Sequence, residues 1–110
     1  MPTTSEVGVV VLAYVAGQQV QLAEEERNAA LRRALFVFAA GGALHREPTL
    51  DDPAVLELAA DLDSPARREA LMGAIGSLDA DPELVERLAD PELAWRAYAC
   101  GLLADALGED

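Results

Sequence analysis

No lysine occurs anywhere in the chain; its eight basic residues are all arginine. That absence excludes Schiff-base chemistry, pyridoxal phosphate attachment included, and it excludes a P-loop. One histidine and one cysteine fall short of any zinc ligand set, and Cys100 has no partner for an internal disulfide. A reducing cytoplasm is the compartment this implies. Aromatic residues make up 5% of the chain, and β-branched and aromatic residues together are too few for a sandwich or barrel. Positive charge is scarce: 8 basic residues stand against 20 acidic ones, for a net charge of −12. Nucleic acids and anionic membranes, which need a cationic face, are poor partners for such a chain. A long hydrophobic run is also missing. Val7–Ala16 is too short to span a bilayer, and Ser5 and Glu6 precede it where a secretory signal would carry basic residues.

What is present is a hydrophobic fraction of 52%, rich in alanine, which is ample for one closely packed helical core in 110 residues. The Arg/Ala/Glu/Asp bias is the one a GC-rich bacterial genome encodes. Four of the six prolines directly follow an acidic or hydroxyl residue: Asp52-Pro53, Ser64-Pro65, Asp81-Pro82 and Asp90-Pro91. Each pair is a helix start, with a short acceptor side chain to cap free amides and proline at the first helical position.

These starts predict four helices: Pro53 to about Leu62, Pro65 to about Leu78, Pro82 to about Ala89, and Pro91 to about Leu107 with Gly108 ending it. The first of them buries Val55, Leu58, Ala59 and Leu62. The next turns Leu71, Ile75 and Leu78 inward, with Arg67, Arg68 and Glu69 in a solvated first turn and Gly73 and Gly76 permitting close helix approach. Leu84, Val85 and Leu88 anchor the short third. Upstream, Glu24, Glu25 and Glu26 suit the positive end of a helix reaching about Ala40 and stopped by Gly41-Gly42. Val7–Leu22 is read as a helix opened by the Thr3/Glu6 capping-box spacing. The rival is a strand paired with its own copy in a dimer. As a helix it is apolar nearly all round, which implies a central position or an interface. The expected fold is all-α: a compact single-domain bundle of five or six short helices.

Two aromatic residues stand out in the last helix. Leu93, Ala97, Cys100, Ala104 and Leu107 form one apolar stripe; Trp95, Tyr98 and Leu102 form a second, displaced around the axis. Trp95, Tyr98 and Leu102, with Val10 and Tyr14 of the first helix, are read as interface anchors. The plainer reading is that Trp95 and Tyr98 fill the space between the last helix and the first.

The candidate chemical groups each have a bland reading beside them. His45 lies in the irregular stretch Gly41–Asp52, where it would serve as general acid or base with Glu47 or Asp51 orienting it. The plainer reading is an exposed loop histidine, with Asp52 merely capping the helix that starts at Pro53. Asp51, Asp52, Asp61 and Asp63 lack the tight glycine-containing loop of a calcium site, so no metal and no cofactor is expected. Cys100 sits on an apolar stripe and reads as a small core residue. Finally, Ala16-Gly17-Gln18-Gln19-Val20-Gln21-Leu22-Ala23-Glu24-Glu25-Glu26 resembles the helix-loop-helix of tellurite-resistance TerB-like domains, as does the closing Leu103–Gly108. The acidic loop position that would bind metal in that family is glutamine here, so neither its fold nor its metal site is carried over. The function expected from all this is a small acidic cytoplasmic interaction or regulatory module, a homodimer that binds protein rather than nucleic acid or membrane. The alternative is a small-molecule-binding protein or small enzyme with its site near the 41–52 loop and His45.

Overall fold

The computed structural model of the protein describes residues 4–41 and 48–108. Among them are six α-helices, one 3₁₀ turn and no strand: α1 (Thr4–Ala16), the 3₁₀ turn Gly17–Gln19, α2 (Glu24–Ala40), α3 (Pro53–Leu62), α4 (Pro65–Ser77), α5 (Pro82–Arg87) and α6 (Pro91–Gly108). The Cα radius of gyration is 13.1 Å. One compact domain of this length gives about 13 Å.

All four Asp/Ser-Pro steps open helices. Three do so with a side-chain cap: Ser64 Oγ accepts from Arg67 N at 3.1 Å, Asp81 Oδ1 from Glu83 N at 2.9 Å, and Asp90 Oδ1 from Glu92 N at 3.0 Å. Asp52 departs from the pattern. It stands at the N-cap of α3, but its buried carboxylate turns back to accept from Thr49 N at 3.1 Å. It thus ties the incoming chain to the helix start, and it makes no side-chain cap to α3.

α6 is the centre of the bundle and touches α1, α2, α3 and α4. Between positions 94 and 103 every residue except Arg96 is buried. Around it pack the fully buried Val9, Phe38, Val55, Leu58, Leu62, Leu71 and Leu88. Of the expected main stripe, Ala97 and Cys100 are buried, Leu93 and Leu107 half-buried, and Ala104 exposed.

α1 lies against α6 through two reciprocal glycine–tyrosine contacts. A Cβ at Gly101 would stand 2.7 Å from Tyr14 Cβ, and one at Gly17 would stand 2.1 Å from Tyr98 Cε1. Each ring therefore lies on backbone that only glycine leaves bare. α1 stops at Ala16 rather than running to Leu22. The chain tightens into the 3₁₀ turn where Tyr98 covers it, and Val20 is already extended (φ −78°, ψ 126°). The close approach expected at Gly73 and Gly76 does not occur among the described residues, none of which lies within 4 Å of either Cβ position.

Arginines fasten the helices from outside. Arg33 Nε bonds Asp61 at 2.9 Å, joining α2 to α3. Arg67 pairs with Glu26 of α2 and donates to the Leu62 carbonyl at 3.0 Å. Arg68 holds Asp63 through Nε at 2.7 Å and Nη2 at 2.9 Å, and reaches Glu92 of α6 at 3.0 Å. Those bonds to Asp63, more than the one to Glu92, push the Arg68 guanidinium above its already high value, against partial burial. Arg67 and Arg68 are therefore half-buried inter-helix ties, not a solvated first turn.

Candidate functional site

The residues read as interface anchors lie largely in the interior. Trp95 is 1% exposed, and its indole Nε1 donates to the Ala59 carbonyl of α3 at 2.8 Å. Tyr98 is 3% exposed, its ring centroid 5.2 Å from that of Trp95 at a tilt of 53°. Leu102 is buried with them, and Val10 and Tyr14 are half-buried against the same core. Trp95, Tyr98 and Leu102 are thus unavailable as surface anchors, because their own chain already covers them. The plainer reading holds for Tyr98, which fills the space between α6 and the end of α1; Trp95 reaches instead to α3.

Exposed apolar surface lies on the other side of α1. Val9, Leu12, Ala13 and Ala16 face the core. Val7, Val11 and Val15, four residues apart and therefore in one stripe, remain 45%, 55% and 50% exposed. Val15 also edges an open groove of about 620 Å³ between the end of α1, the 3₁₀ turn and α4, with Ala16, Gln18, Gln19, Gly73 and Ala74 among its walls. None of the groove's lining residues is charged. This follows from two uncharged stretches, 7–23 and 70–78, which the fold sets side by side in a chain of net charge −12. Phe36 and Leu56 are also exposed, at 77% and 44%. They lack that neutral setting: Arg32 and Arg33 share the Phe36 face of α2, and Glu57 adjoins Leu56.

The remaining candidates are placed as follows. His45 and Glu47 lie outside the described residues. Asp51 meets Arg96 at 3.3 Å, Asp61 meets Arg33 and Asp63 meets Arg68, so the acidic cluster is distributed over separate arginine pairs. No group of three or more His, Cys, Asp or Glu residues is placed to hold a metal among the described residues. Cys100 is buried, with Sγ 3.4 Å from the Pro48 carbonyl. No helix among the described residues is long and apolar enough to cross a membrane.

Both tyrosines have phenols pushed above the ordinary value of 10.0. Burial is the main cause in each. For Tyr14 the hydrogen bond to the Asp105 carboxylate adds to it, and for Tyr98 the neighbouring Tyr14 does. Arg27 acts on both in the opposite direction, favouring the phenolate.

Comparison with protein-family models, curated proteins and solved structures finds no match for this chain. The segment Ala16–Glu26 leads from α1 through the 3₁₀ turn into α2, with Gln18 and Gln19 exposed in the turn.

Proposed function

We propose that the protein is a non-enzymatic interaction module of the bacterial cytoplasm that works as a homodimer, with the uncharged α1 face and its adjoining groove as the seam. The observation that carries this reading is the Val7/Val11/Val15 stripe, half exposed on a helix with no charge anywhere along its apolar length. Each of these valines has on the order of 1 kcal/mol of burial still to gain. A two-fold axis doubles that gain, because the same patch is used on both copies.

Charge favours a second copy at this place over any other face. Two molecules of net charge −12 repel each other, and the repulsion is least where an uncharged surface meets its own image. The groove supports the same seam. Its α4 wall includes Gly73, with Gly76 one turn further on, and the space above both glycines is empty. A helix of a second copy could therefore approach closely there. Assembly leaves the acidic remainder of the surface facing outward, and a partner protein with a basic patch suits that surface.

A native mass spectrum of the protein purified gently from its own host tests the reading. A species of twice the chain mass with no added mass is the expected result. A strictly monomeric protein at tens of micromolar would overturn it.

A further inference from the structure

Residues 64–90 leave the bundle after α3 and return to it at the start of α6. In between, α4 lies beside the end of α1 and the 3₁₀ turn, and α5 beside the start of α1. There a Cβ at Gly8 would stand 3.2 Å from Leu84 Cδ1. Only Leu71, Ile75 and Leu88 of this segment are buried, whereas α3 alone buries five residues and α6 nine. α2 also buries few, but it is packed closely on α3 and tied to it by Arg33. Residues 64–90 lack such backing. α4 and α5 make little contact with α2 or α3 and rest instead on α1, the 3₁₀ turn and α6.

Both ends of the segment are breaks between helices. A proline stands at each, Pro65 after Ser64 and Pro91 after Asp90, and a residue before proline is steered out of the helical region. Ser64 is accordingly extended (φ −158°, ψ 149°), so α3 does not run on into α4. One side chain closes the neck between the two ends. Arg68 grips Asp63, just before the segment, through Nε at 2.7 Å and Nη2 at 2.9 Å. The same Nη2 reaches Glu92, just after the segment, at 3.0 Å. Arg67 adds its bond to the Leu62 carbonyl and its pair with Glu26 at the same end of α4. Beyond these ties α4 is held by Leu71 and Ile75, beside the open groove.

Units with little buried surface open at lower free energy than the core they rest on. We propose that residues 64–90 are a lid, hinged at Ser64 and Asp90 and latched by Arg68, which swings off α1 as one unit while α3 and α6 stay folded. Opening bares the side of α1 that α4 and α5 cover, and it takes away the α4 wall of the groove. The lid thereby controls access to that side of α1. Its latch is a surface ion cluster, and such pairs shift an equilibrium by only a few-fold, so it releases readily. The lid belongs to a single copy of the chain, whether or not two copies pair.

The test is native-state hydrogen exchange of the full chain, read amide by amide by NMR. After correction for intrinsic rates, α4 and α5 should exchange about tenfold or more faster than α3 and the buried stretch of α6. Low denaturant should speed α3 and α6 steeply and α4 and α5 only slightly, because opening the lid exposes less surface than global unfolding. Val55→Ala weakens the core and spares the lid's contacts. It should speed α3 and α6 about tenfold or more without moving α4 and α5. Arg68→Gln should speed α4 and α5 together by a few-fold. The lid is ruled out if α4 and α5 are as protected as α3 and α6, or if denaturant or Val55→Ala speeds all four alike. It is ruled out too if α4 opens without α5, or if Arg68→Gln leaves both at the parental rate.

Discussion

α6 and α1 are both apolar nearly all round, yet the fold treats them oppositely. α6 is enclosed: from 94 to 103 only Arg96 escapes burial. α1 is enclosed on one side, and its other side presents three half-exposed valines to solvent. Composition does not separate the two helices; the neighbours do. α6 is met by four other helices, whereas α1 has α6, α4 and α5 beside it and, among the described residues, no helix over its outer stripe. A helix that is apolar all round belongs in an interior. For α6 the chain provides that interior, and for α1 a second copy would have to.

Substitutions that act on one helix and spare the other sharpen this contrast. The largest effect is expected from Trp95→Ala, which empties a fully buried site and orphans the Ala59 carbonyl. Chemical denaturation should show a loss of about 3–5 kcal/mol. Phe36→Ala, which also truncates an aromatic ring but at a position 77% exposed, should stay within about 0.5 kcal/mol.

Next come the glycines. Gly17→Ala forces a methyl to 2.1 Å from the Tyr98 ring and should cost about 1–3 kcal/mol. Gly73→Ala meets nothing within 4 Å in its own chain and replaces a helix-interior glycine. In dilute solution it should stabilise the monomer by about 0.5–1 kcal/mol.

The tyrosines give the same crossing a pH signature. Both folded phenols titrate above 10.0, the value of the unfolded chain. Below that pH both states are protonated and the fold is at full strength; above it the unfolded chain ionises first, so stability falls as pH rises towards the folded values. Denaturant midpoints between about pH 9 and about pH 11 should drop in the parent and drop less in Tyr98→Phe. A small change is also expected in Arg68→Gln. It removes the surface ties of the half-buried Arg68 to Asp63 and Glu92 and should cost about 0.2–1 kcal/mol, with the difference shrinking in high salt.

Local sequence chemistry was enough for the helices of the second half. A proline after Asp or Ser is a signal read within four residues, so α3, α4, α5 and α6 begin at Pro53, Pro65, Pro82 and Pro91 as expected. The end of α2 at Ala40 before Gly41 is equally local. What escaped sequence reasoning depends on distant residues. The packing of Tyr98 on Gly17, just past the end of α1, joins residues from opposite ends of the chain. Trp95 and Tyr98 formed a visible second stripe, but periodicity marks an apolar face without saying which neighbour covers it.

The valine stripe could have been found: positions 7, 11 and 15 share one face, and no charge occurs between Glu6 and Glu24. Its exposure could not, because that required knowing that α4 and α5 flank α1 without closing over it.

The measurement that bears most directly on the α1 seam is sedimentation velocity over a range of concentrations, on the parent, Val11→Asp and Phe36→Asp. Val11 is 55% exposed, so the first substitution should leave monomer stability within about 0.5 kcal/mol while setting two like charges at the centre of the seam. The expected result is a dimer for the parent and for Phe36→Asp, and a monomer for Val11→Asp at every concentration. A Val11→Asp protein that dimerises as the parent does would contradict the assignment of α1 as the seam.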